Sequence, residues 1–254
     1  MSFYQTILRK VPRRYLIRLS YVFTKFSPLL FKGNNVECPV CGQHFRKFLP
    51  YGVHQKREGV LCPKCLSLER HRLMWLFLKR ETDFFAAPKK VLHVAPEQCF
   101  LERFKKAKNL QYTTADIESP IADVKMDIQK MPFENEIFDV IICNHVLEHV
   151  EDDHKAMSEI FRVLKTGGFA ILQVPIDFSR SVTYEDSTIT SPQEREKHFW
   201  QKDHLRLYAP DFIERLQAVG FQLKQNNFTE KLTEYEIQRF RLPEKELMYA
   251  FWKL

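Results

Sequence analysis

The residues with the most specific chemistry are cysteines arranged as two Cys-x-x-Cys pairs. The pairs are Cys38/Cys41 and Cys62/Cys65, separated by residues 42–61. Thiolates at this spacing predict a tetrahedral zinc site in a small ribbon. Because four protein ligands leave no coordination position open, we expect the zinc to be structural. Disulfides or unrelated surface pairs are the alternative, although nothing in the sequence indicates secretion.

A second group of reactive side chains follows an apolar run at residues 139–143 (DVIIC). The run is short, rich in β-branched residues and without helical period, so it predicts a buried strand. Asn144, His145 and Glu148 come directly after it. If the strand belongs to a parallel sheet, these residues lie at its carboxyl end, where such sheets bind ligands.

The segment that follows predicts such a sheet. Asp152 is typical of a helix N-cap, and apolar residues then recur at helical spacing. Gly167 and Gly168 are predicted to end this helix, and residues 169–174 form a second buried strand. Strand, helix and strand make a βαβ unit, which implies parallel pairing.

The chain resembles class I S-adenosylmethionine-dependent methyltransferases over roughly residues 89–253, and most closely their small-molecule branch, which includes the ubiquinone and menaquinone C-methyltransferases. KVLHVA at 90–95 resembles the family's first strand, YTTADI at 112–117 its second and KMDI at 125–128 its third, while residues 204–221 resemble its penultimate helix. The resemblance implies an α/β fold with a Rossmann-like, doubly wound, mostly parallel sheet. It also implies S-adenosylmethionine as cofactor.

Cofactor contacts are expected at the ends of these strands. A carboxylate there can accept hydrogen bonds from both ribose hydroxyls, and Asp116 is the candidate. A turn or helix-capping role is the alternative for Asp116. Asp127 and the backbone of Ile128 are expected at the adenine. The complete set of expected contacts is His93, Ala95, Glu97, Asp116, Ile117, Asp127, Ile128 and Asn144.

The loop after the first strand departs from the family pattern. The family's loop carries an acid and several glycines, whereas residues 93–99 (HVAPEQC) contain no glycine. Pro96 fixes φ and removes a donor, so we expect an unusual path for this turn. His93 stands where the acid often stands, and Glu97 could replace it. The loop is either rebuilt for the same cofactor or has lost it, and the retained Asp116 and Asp127 favour the first hypothesis.

The acceptor is expected to contact residues 176–208, a long segment of the kind that forms lids. His204 is a candidate general base because the ordinary pKa of histidine lies near neutral pH. His145 and His149 are competing candidates, and any of the three could merely brace a helix.

Positive charge is concentrated in residues 1–36, while basic and acidic residues balance in the rest of the chain. This segment has no acidic residue, and its basic residues are Arg9, Lys10, Arg13, Arg14, Arg18, Lys25 and Lys32. On a helical wheel a basic stripe lies beside an apolar one. The basic stripe is Arg14, Arg18 and Lys25, and the apolar stripe is Tyr15, Leu19, Val22 and Phe26. Such a helix binds an anionic membrane surface or docks on the protein itself.

The chain of 254 residues is thus predicted to hold a basic amphipathic arm (1–36), a zinc ribbon with a connecting helix (37–81) and a methyltransferase domain (89–254). The predicted function is methyl transfer in the cytoplasm to a small-molecule, glycan or lipid-linked acceptor, with peripheral membrane contact through the arm. A zinc-ribbon RNA methyltransferase is the first alternative. Balanced charge outside the arm makes a nucleic acid the less favoured partner. A non-catalytic binding module of the same fold is the second alternative.

Overall fold

The computed structural model describes residues 13–52, 56–225, 227–244 and 246–254. The chain divides into two compact units. The first comprises residues 1–84, 97–103 and 227–247, and the second comprises 85–96, 104–226 and 248–254. Segments 97–103 and 227–247, which were expected in the methyltransferase domain, thus belong to the first unit. The predicted functional domain boundaries stay predictions.

The elements are numbered here in chain order. The helices are α1 (Arg13–Leu30), α2 (Glu69–Arg80), α3 (Gln98–Lys106), α4 (Asp153–Val163), α5 (Pro192–Phe199), α6 (Phe212–Val219) and α7 (Glu234–Phe240). The strands are β1 (Lys32–Cys38), β2 (Gln43–Phe45), β3 (Leu49–Tyr51), β4 (Arg57–Leu61), β5 (Lys89–Val94), β6 (Leu110–Asp116), β7 (Val124–Lys125), β8 (Phe138–Asn144), β9 (Leu164–Gln173), β10 (Tyr184–Glu185), β11 (Arg206–Leu207), β12 (Gln222–Gln225) and β13 (Ala250–Trp252). Short 3₁₀ turns cover Leu147–His149 and Phe228–Lys231.

The first unit is built on two small antiparallel ribbons, β1–β2 and β3–β4. Arg72 on α2 is fully buried among them. Its guanidinium donates to the carbonyl oxygens of Val60 and Ser67 and of Phe240 and Arg241, at 2.6–2.9 Å. Because a buried guanidinium is costly unless its donors are satisfied, these bonds tie the ribbon, α2 and the end of α7 together.

Helix α1 belongs to the first unit and presents two different faces. The Ser27 hydroxyl is buried and donates to the carbonyl oxygen of Pro63, and Ser20 hydrogen-bonds Gln98. Leu19, Val22 and Phe26 lie on the other face and are 57–60% exposed. The predicted apolar stripe therefore faces outward. Arg9 and Lys10, and the side chains of the predicted basic residues Arg13, Arg14 and Arg18, lie outside the described residues.

The second unit is organised around a seven-stranded sheet with the order β12–β13–β9–β8–β5–β6–β7. The strands from β9 to β7 pair in parallel, and β13 is antiparallel to both of its neighbours. The mostly parallel sheet is therefore confirmed. The central strands are almost fully buried, as continuous apolar runs such as residues 139–143 predict.

One predicted helix end is wrong. Asp152 caps α4 as expected, since Oδ1 accepts from the Lys155 backbone N–H at 2.9 Å. The helix ends at Val163, however, and the glycines lie inside β9. A Cβ on Gly168 would lie 2.7 Å from the carbonyl oxygen of Asp139 on β8. The close approach of two strands, and not a helix stop, is what requires glycine at this position.

Candidate active site

A cavity of about 510 Å³ opens at the carboxyl ends of β5, β6 and β8. This is the position at which parallel α/β sheets bind ligands. Its volume falls within the range of small-molecule sites. Five of the eight predicted cofactor contacts line it, namely Ala95, Asp116, Ile117, Asp127 and Ile128. Two of the three predicted general bases, His145 and His149, line it as well.

Two strand ends beside this cavity turn through the left-handed region. Ala95 follows β5 with φ +51°, and His145 follows β8 with φ +55°. The Ala95 backbone N–H donates to Ala115 and that of His145 donates to Gln173, both at 2.8 Å. Left-handed backbone at non-glycine residues is costly and clusters at functional sites. The glycine-free loop therefore makes its turn with the smallest side chain that carries a Cβ.

Asp116 combines the two roles predicted for it. Its Oδ1 accepts from the backbone N–H groups of Glu118 and Ser119 at 2.8 and 2.7 Å, which is a turn role. Within the described part of the chain Oδ2 accepts no hydrogen bond, and it belongs to a residue of the cavity wall. The turn therefore fixes the carboxylate and leaves an oxygen for a ligand. Asp127 makes a similar turn, with Oδ1 accepting from the Gln129 backbone N–H at 2.8 Å, but its Oδ2 also accepts from Gln129 Nε2 at 3.3 Å.

The remaining predicted contacts lie elsewhere. His93 is fully buried, and its Nδ1 lies 2.7 Å from the Tyr112 hydroxyl, so it packs beneath the sheet end and does not line the cavity. Glu97 belongs to the first unit, where Oε1 lies 3.8 Å from Nε2 of His71. Asn144 is buried as the last residue of β8 and is not among the lining residues. The positions of His93 and Asn144 follow from the alternation of side chains along β5 and β8, which sends neighbouring side chains to opposite faces of the sheet.

The structure brings His149 and His204 together with Glu148. The two imidazole rings make an edge-to-face contact with centroids 4.7 Å apart. Candidate ligand atoms of the three residues all lie within 4.8 Å of one another. Burial lowers the pKa of His204 below its ordinary value, which favours the neutral imidazole at neutral pH. His145 Nδ1 lies 3.3 Å from Oε1 of Glu148.

A second cavity, of about 800 Å³, is lined by residues of the predicted acceptor segment. Glu185, Arg195 and Lys202 make its wall strongly polar. His149 and Glu151 line both this cavity and the smaller one, so the two are adjacent.

Arg206 holds this region together and was missed by the sequence analysis. Its buried guanidinium donates to the carbonyl oxygens of Leu147, Val150 and Glu151 at 2.6–2.9 Å, and Nε lies 3.0 Å from a carboxylate oxygen of Glu185. The one sequence signal was a charged residue inside the apolar run LRLY at 205–208. An arginine in that setting is buried only when its donors are satisfied.

The four cysteines of the two pairs form one cluster in the first unit, as their spacing predicts. All four sulfur atoms lie within 4.8 Å of one another, and the Cys38–Cys65 and Cys41–Cys62 distances are 3.6 and 3.8 Å. A tetrahedral zinc with bonds of about 2.3 Å requires sulfur atoms about 3.8 Å apart, so the cluster has the right size. The four cysteines form no disulfide in this structure, which favours the metal-site interpretation.

A known protein family matches the centre of the chain. Residues 80–172 match the family model described as "Methyltransferase domain". The match begins in the last residue of α2 and ends inside β9, so it includes both left-handed turns and Asp116. Over this stretch the chain is therefore similar to a methyltransferase domain.

Curated relatives match stretches of 59 to 95 residues. Uncharacterized protein MJ1123 of Methanocaldococcus jannaschii is 34% identical over 95 residues, 37% of this chain and 43% of that protein. Sterol 4-C-methyltransferase strm-1 of Caenorhabditis elegans is 40% identical over 60 residues, 24% of this chain and 18% of the relative. The ubiquinone/menaquinone biosynthesis C-methyltransferase UbiE of Vibrio parahaemolyticus is 37% identical over 59 residues, 23% and 22% of the two chains. The chain thus spans less than half the length of each of these relatives.

Proposed function

We propose that the second unit transfers a methyl group from S-adenosylmethionine to a small-molecule, glycan or lipid-linked acceptor. The observation that carries the proposal is the convergence of Ala95, Asp116 and Asp127 on one cavity at three strand ends. Two of the relatives are named as a sterol and a quinone-pathway C-methyltransferase, which favours a small acceptor.

The residues of the cavity fit the cofactor. Oδ2 of Asp116 is available to accept from the ribose hydroxyls, and Ile117 and Ile128 offer apolar surface to an adenine. The short side chain of Ala95 lets a ligand approach the end of β5. S-adenosylmethionine supplies a methyl group already activated on a sulfonium. The protein's task is therefore to orient the acceptor, exclude water and hold a proton near the reacting atom.

Calorimetry with S-adenosylmethionine and its demethylated product tests this proposal. The matched variant is Asp116→Asn, which keeps an oxygen for the turn bonds to Glu118 and Ser119. Loss of charge-assisted hydrogen bonds to the ribose weakens binding roughly tenfold or more, since each bond to a charged group contributes about 1.5–3 kcal/mol. Glu118→Gln, at an exposed neighbouring position, is the control. If the wild type bound neither S-adenosylmethionine nor its demethylated product, the proposed methyltransferase activity would be contradicted and a non-catalytic binding module favoured.

The Cys₄ cluster is proposed to hold a structural zinc ion. The sulfur spacing supports this, and so does the electrostatics of the cluster. Burial of Cys62 raises the pKa of its thiol, and hydrogen bonding from Cys38 adds to the effect. Bringing four thiolates into one buried cluster therefore needs a bound cation to offset their repulsion.

The exposed face of α1 is proposed to contact an anionic membrane surface. No helix in the described ranges is long and apolar enough to cross a bilayer. The face that carries Leu19, Val22 and Phe26 is turned away from the serines that dock the helix on its own unit. Basic residues beside such a face add about 1 kcal/mol each near anionic lipid.

Sedimentation with vesicles containing phosphatidylserine tests the membrane contact. We expect Leu19→Gln/Phe26→Gln to lower the bound fraction several-fold and added salt to lower it further, because the Debye length shortens. Phe178→Gln removes an equally exposed aromatic ring from the second unit and is the control. Equal sedimentation of all three proteins would contradict the proposal. A salt-dependent shift in the electrophoretic mobility of RNA on addition of the protein would favour the nucleic-acid alternative.

A further inference from the structure

The carboxylate of Glu148 is buried without hydrogen-bond donors. Its side chain is 1% exposed, and neither carboxylate oxygen has a hydrogen-bond partner among the described residues. The nearest basic group is Nδ1 of His145, at 3.3 Å. A buried carboxylate is costly unless it is paired or coordinates a metal. Glu148 therefore calls for a cationic partner.

His149 and His204 present the complementary chemistry. Nδ1 of His149 lies 3.1 Å from the carbonyl oxygen of Asp203, and Nδ1 of His204 lies 2.9 Å from that of Phe199. A carbonyl oxygen only accepts, so Nδ1 must carry the proton in both rings. In a neutral ring so oriented Nε2 holds the lone pair, and Nε2 of His204 is buried without a partner in the described structure. Metal-binding histidines are oriented by such bonds from their other nitrogen.

We propose that Glu148, His149 and His204 bind a divalent cation. Their ligand atoms lie within 4.8 Å of one another, and bonds of about 2.0–2.2 Å would require separations of roughly 3.0–3.5 Å. Side-chain movements of about an ångström close that difference. Two imidazoles and one carboxylate favour Mn²⁺, Fe²⁺, Co²⁺ or Zn²⁺ over Mg²⁺ or Ca²⁺. Three protein ligands leave positions open, which is the arrangement of a reactive site.

Hydrogen bonds to the backbone hold together the two segments that carry the three ligands. The Leu205 N–H donates to the carbonyl oxygen of Glu148 at 2.8 Å. Arg206 bonds the carbonyl oxygens of Leu147 and Val150, on both sides of the ligand pair. Segments separated by more than fifty residues are thus joined immediately beside the ligands, which is the support that a preorganised metal site needs.

The location of the cation indicates the acceptor chemistry, and this step rests on the proposed function. His149 lines both cavities, while Glu148 and His204 are buried behind it, so the cavities would reach a bound cation past the His149 ring. A hydroxyl of the acceptor that coordinates there loses its proton to solvent more easily. Its oxygen then bonds to the methyl carbon while the carbon–sulfur bond breaks, and the electron pair stays on sulfur as the thioether. The site accordingly fits a hydroxylated acceptor.

Manganese binding tests the site without any methyl transfer. Full-length protein that retains zinc in its Cys₄ cluster is treated with chelator, and Mn²⁺ alone is titrated by electron paramagnetic resonance. We expect one Mn²⁺ per chain in the wild type and at least tenfold weaker binding in Glu148→Gln and in His204→Gln. His198→Asn removes a histidine whose ring bonds Tyr184 outside the cluster, and it should bind Mn²⁺ as the wild type does.

Two further measurements separate the possible outcomes. Zinc content and thermal unfolding show whether a variant is folded, and a further Glu148→Asp variant should retain part of the Mn²⁺ affinity. Calorimetry with S-adenosylmethionine is independent of the metal, so its failure would remove the proposed function and leave the metal site standing. No Mn²⁺, Co²⁺ or Zn²⁺ bound beyond the Cys₄ cluster, or binding unchanged in Glu148→Gln, would overturn the inference. His145 would then be the cation that neutralises Glu148.

Discussion

The described residues include two clusters of side chains that could hold a metal ion, and the two differ in almost every respect. The first is Cys38, Cys41, Cys62 and Cys65, four identical ligands from two short turns. The second is Glu148, His149 and His204, two ligand types from a turn after β8 and a segment far along the chain. The four ligands of the first set would complete a tetrahedron around an ion, whereas the three of the second would leave coordination positions open. A closed thiolate set suits folding, and an open mixed set suits chemistry.

The clusters also differ in what holds them. The cysteine cluster is expected to depend on the proposed ion itself, because a small ribbon has little core of its own. The histidine cluster depends on a rigid sheet end and on Arg206, which would persist without a cation. Removing a ligand should therefore unfold the first cluster and leave the second standing.

The largest effect is expected in the first unit. Cys38→Ser or Cys65→Ser should abolish zinc binding and unfold the ribbon, because structural zinc contributes apparent folding free energies of about 10–16 kcal/mol. Elemental analysis and limited proteolysis report the two losses. Cys143→Ala, which removes a buried cysteine from the second unit, should keep its zinc and serves as control. If wild-type protein purified under reducing conditions free of chelator contained no zinc, the Cys₄ cluster would not be a structural zinc site.

An intermediate effect is expected at Arg206. Arg206→Met removes the guanidinium donors to three carbonyl oxygens and to Oε2 of Glu185, and breaking a buried charged network costs about 3–5 kcal/mol. Urea unfolding measures the loss. Lys202→Met, on the wall of the same cavity, should change stability by less than about 0.5 kcal/mol. Equal stability of the two variants would show that the sheet end alone positions Glu148 and His149.

The smallest effects on the free energy of unfolding are expected at two residues with left-handed backbone. Gly42, beside the first cysteine pair, has φ +68°, and Ala95 has φ +51°. Gly42→Ala should cost about 1 kcal/mol, since L-residues are strained there. Ala95→Gly should gain about 0.5 kcal/mol, because the relieved strain exceeds the added unfolded-state entropy. Denaturant midpoints measure both, and a loss of stability in Ala95→Gly would mean that its Cβ packing outweighs the strain.

Much of the fold followed from local patterns. Buried strands such as residues 139–143 are continuous apolar runs, and Asp152 is a side chain that caps helices. The position of Asp116 on the cavity wall could be predicted because Asp116 ends a strand, and the strand ends of a parallel sheet converge. Gly167 and Gly168 were misjudged because a glycine that ends a helix and one that permits close strand packing look the same in a sequence.

The sequence by itself indicated the cysteine cluster, the parallel sheet and much of the wall of the smaller cavity, since each carries a local pattern: Cys-x-x-Cys pairs, apolar runs and the acids that follow them. The tertiary structure decided that His93 is buried away from that cavity, that no described residue donates a hydrogen bond to the Glu148 carboxylate and that His204 lies against His149. These facts depend on side-chain direction and on contacts between distant segments. Spacing along the chain fixes a ligand set only when the intervening residues form a tight turn; beyond that length, packing alone sets the distance.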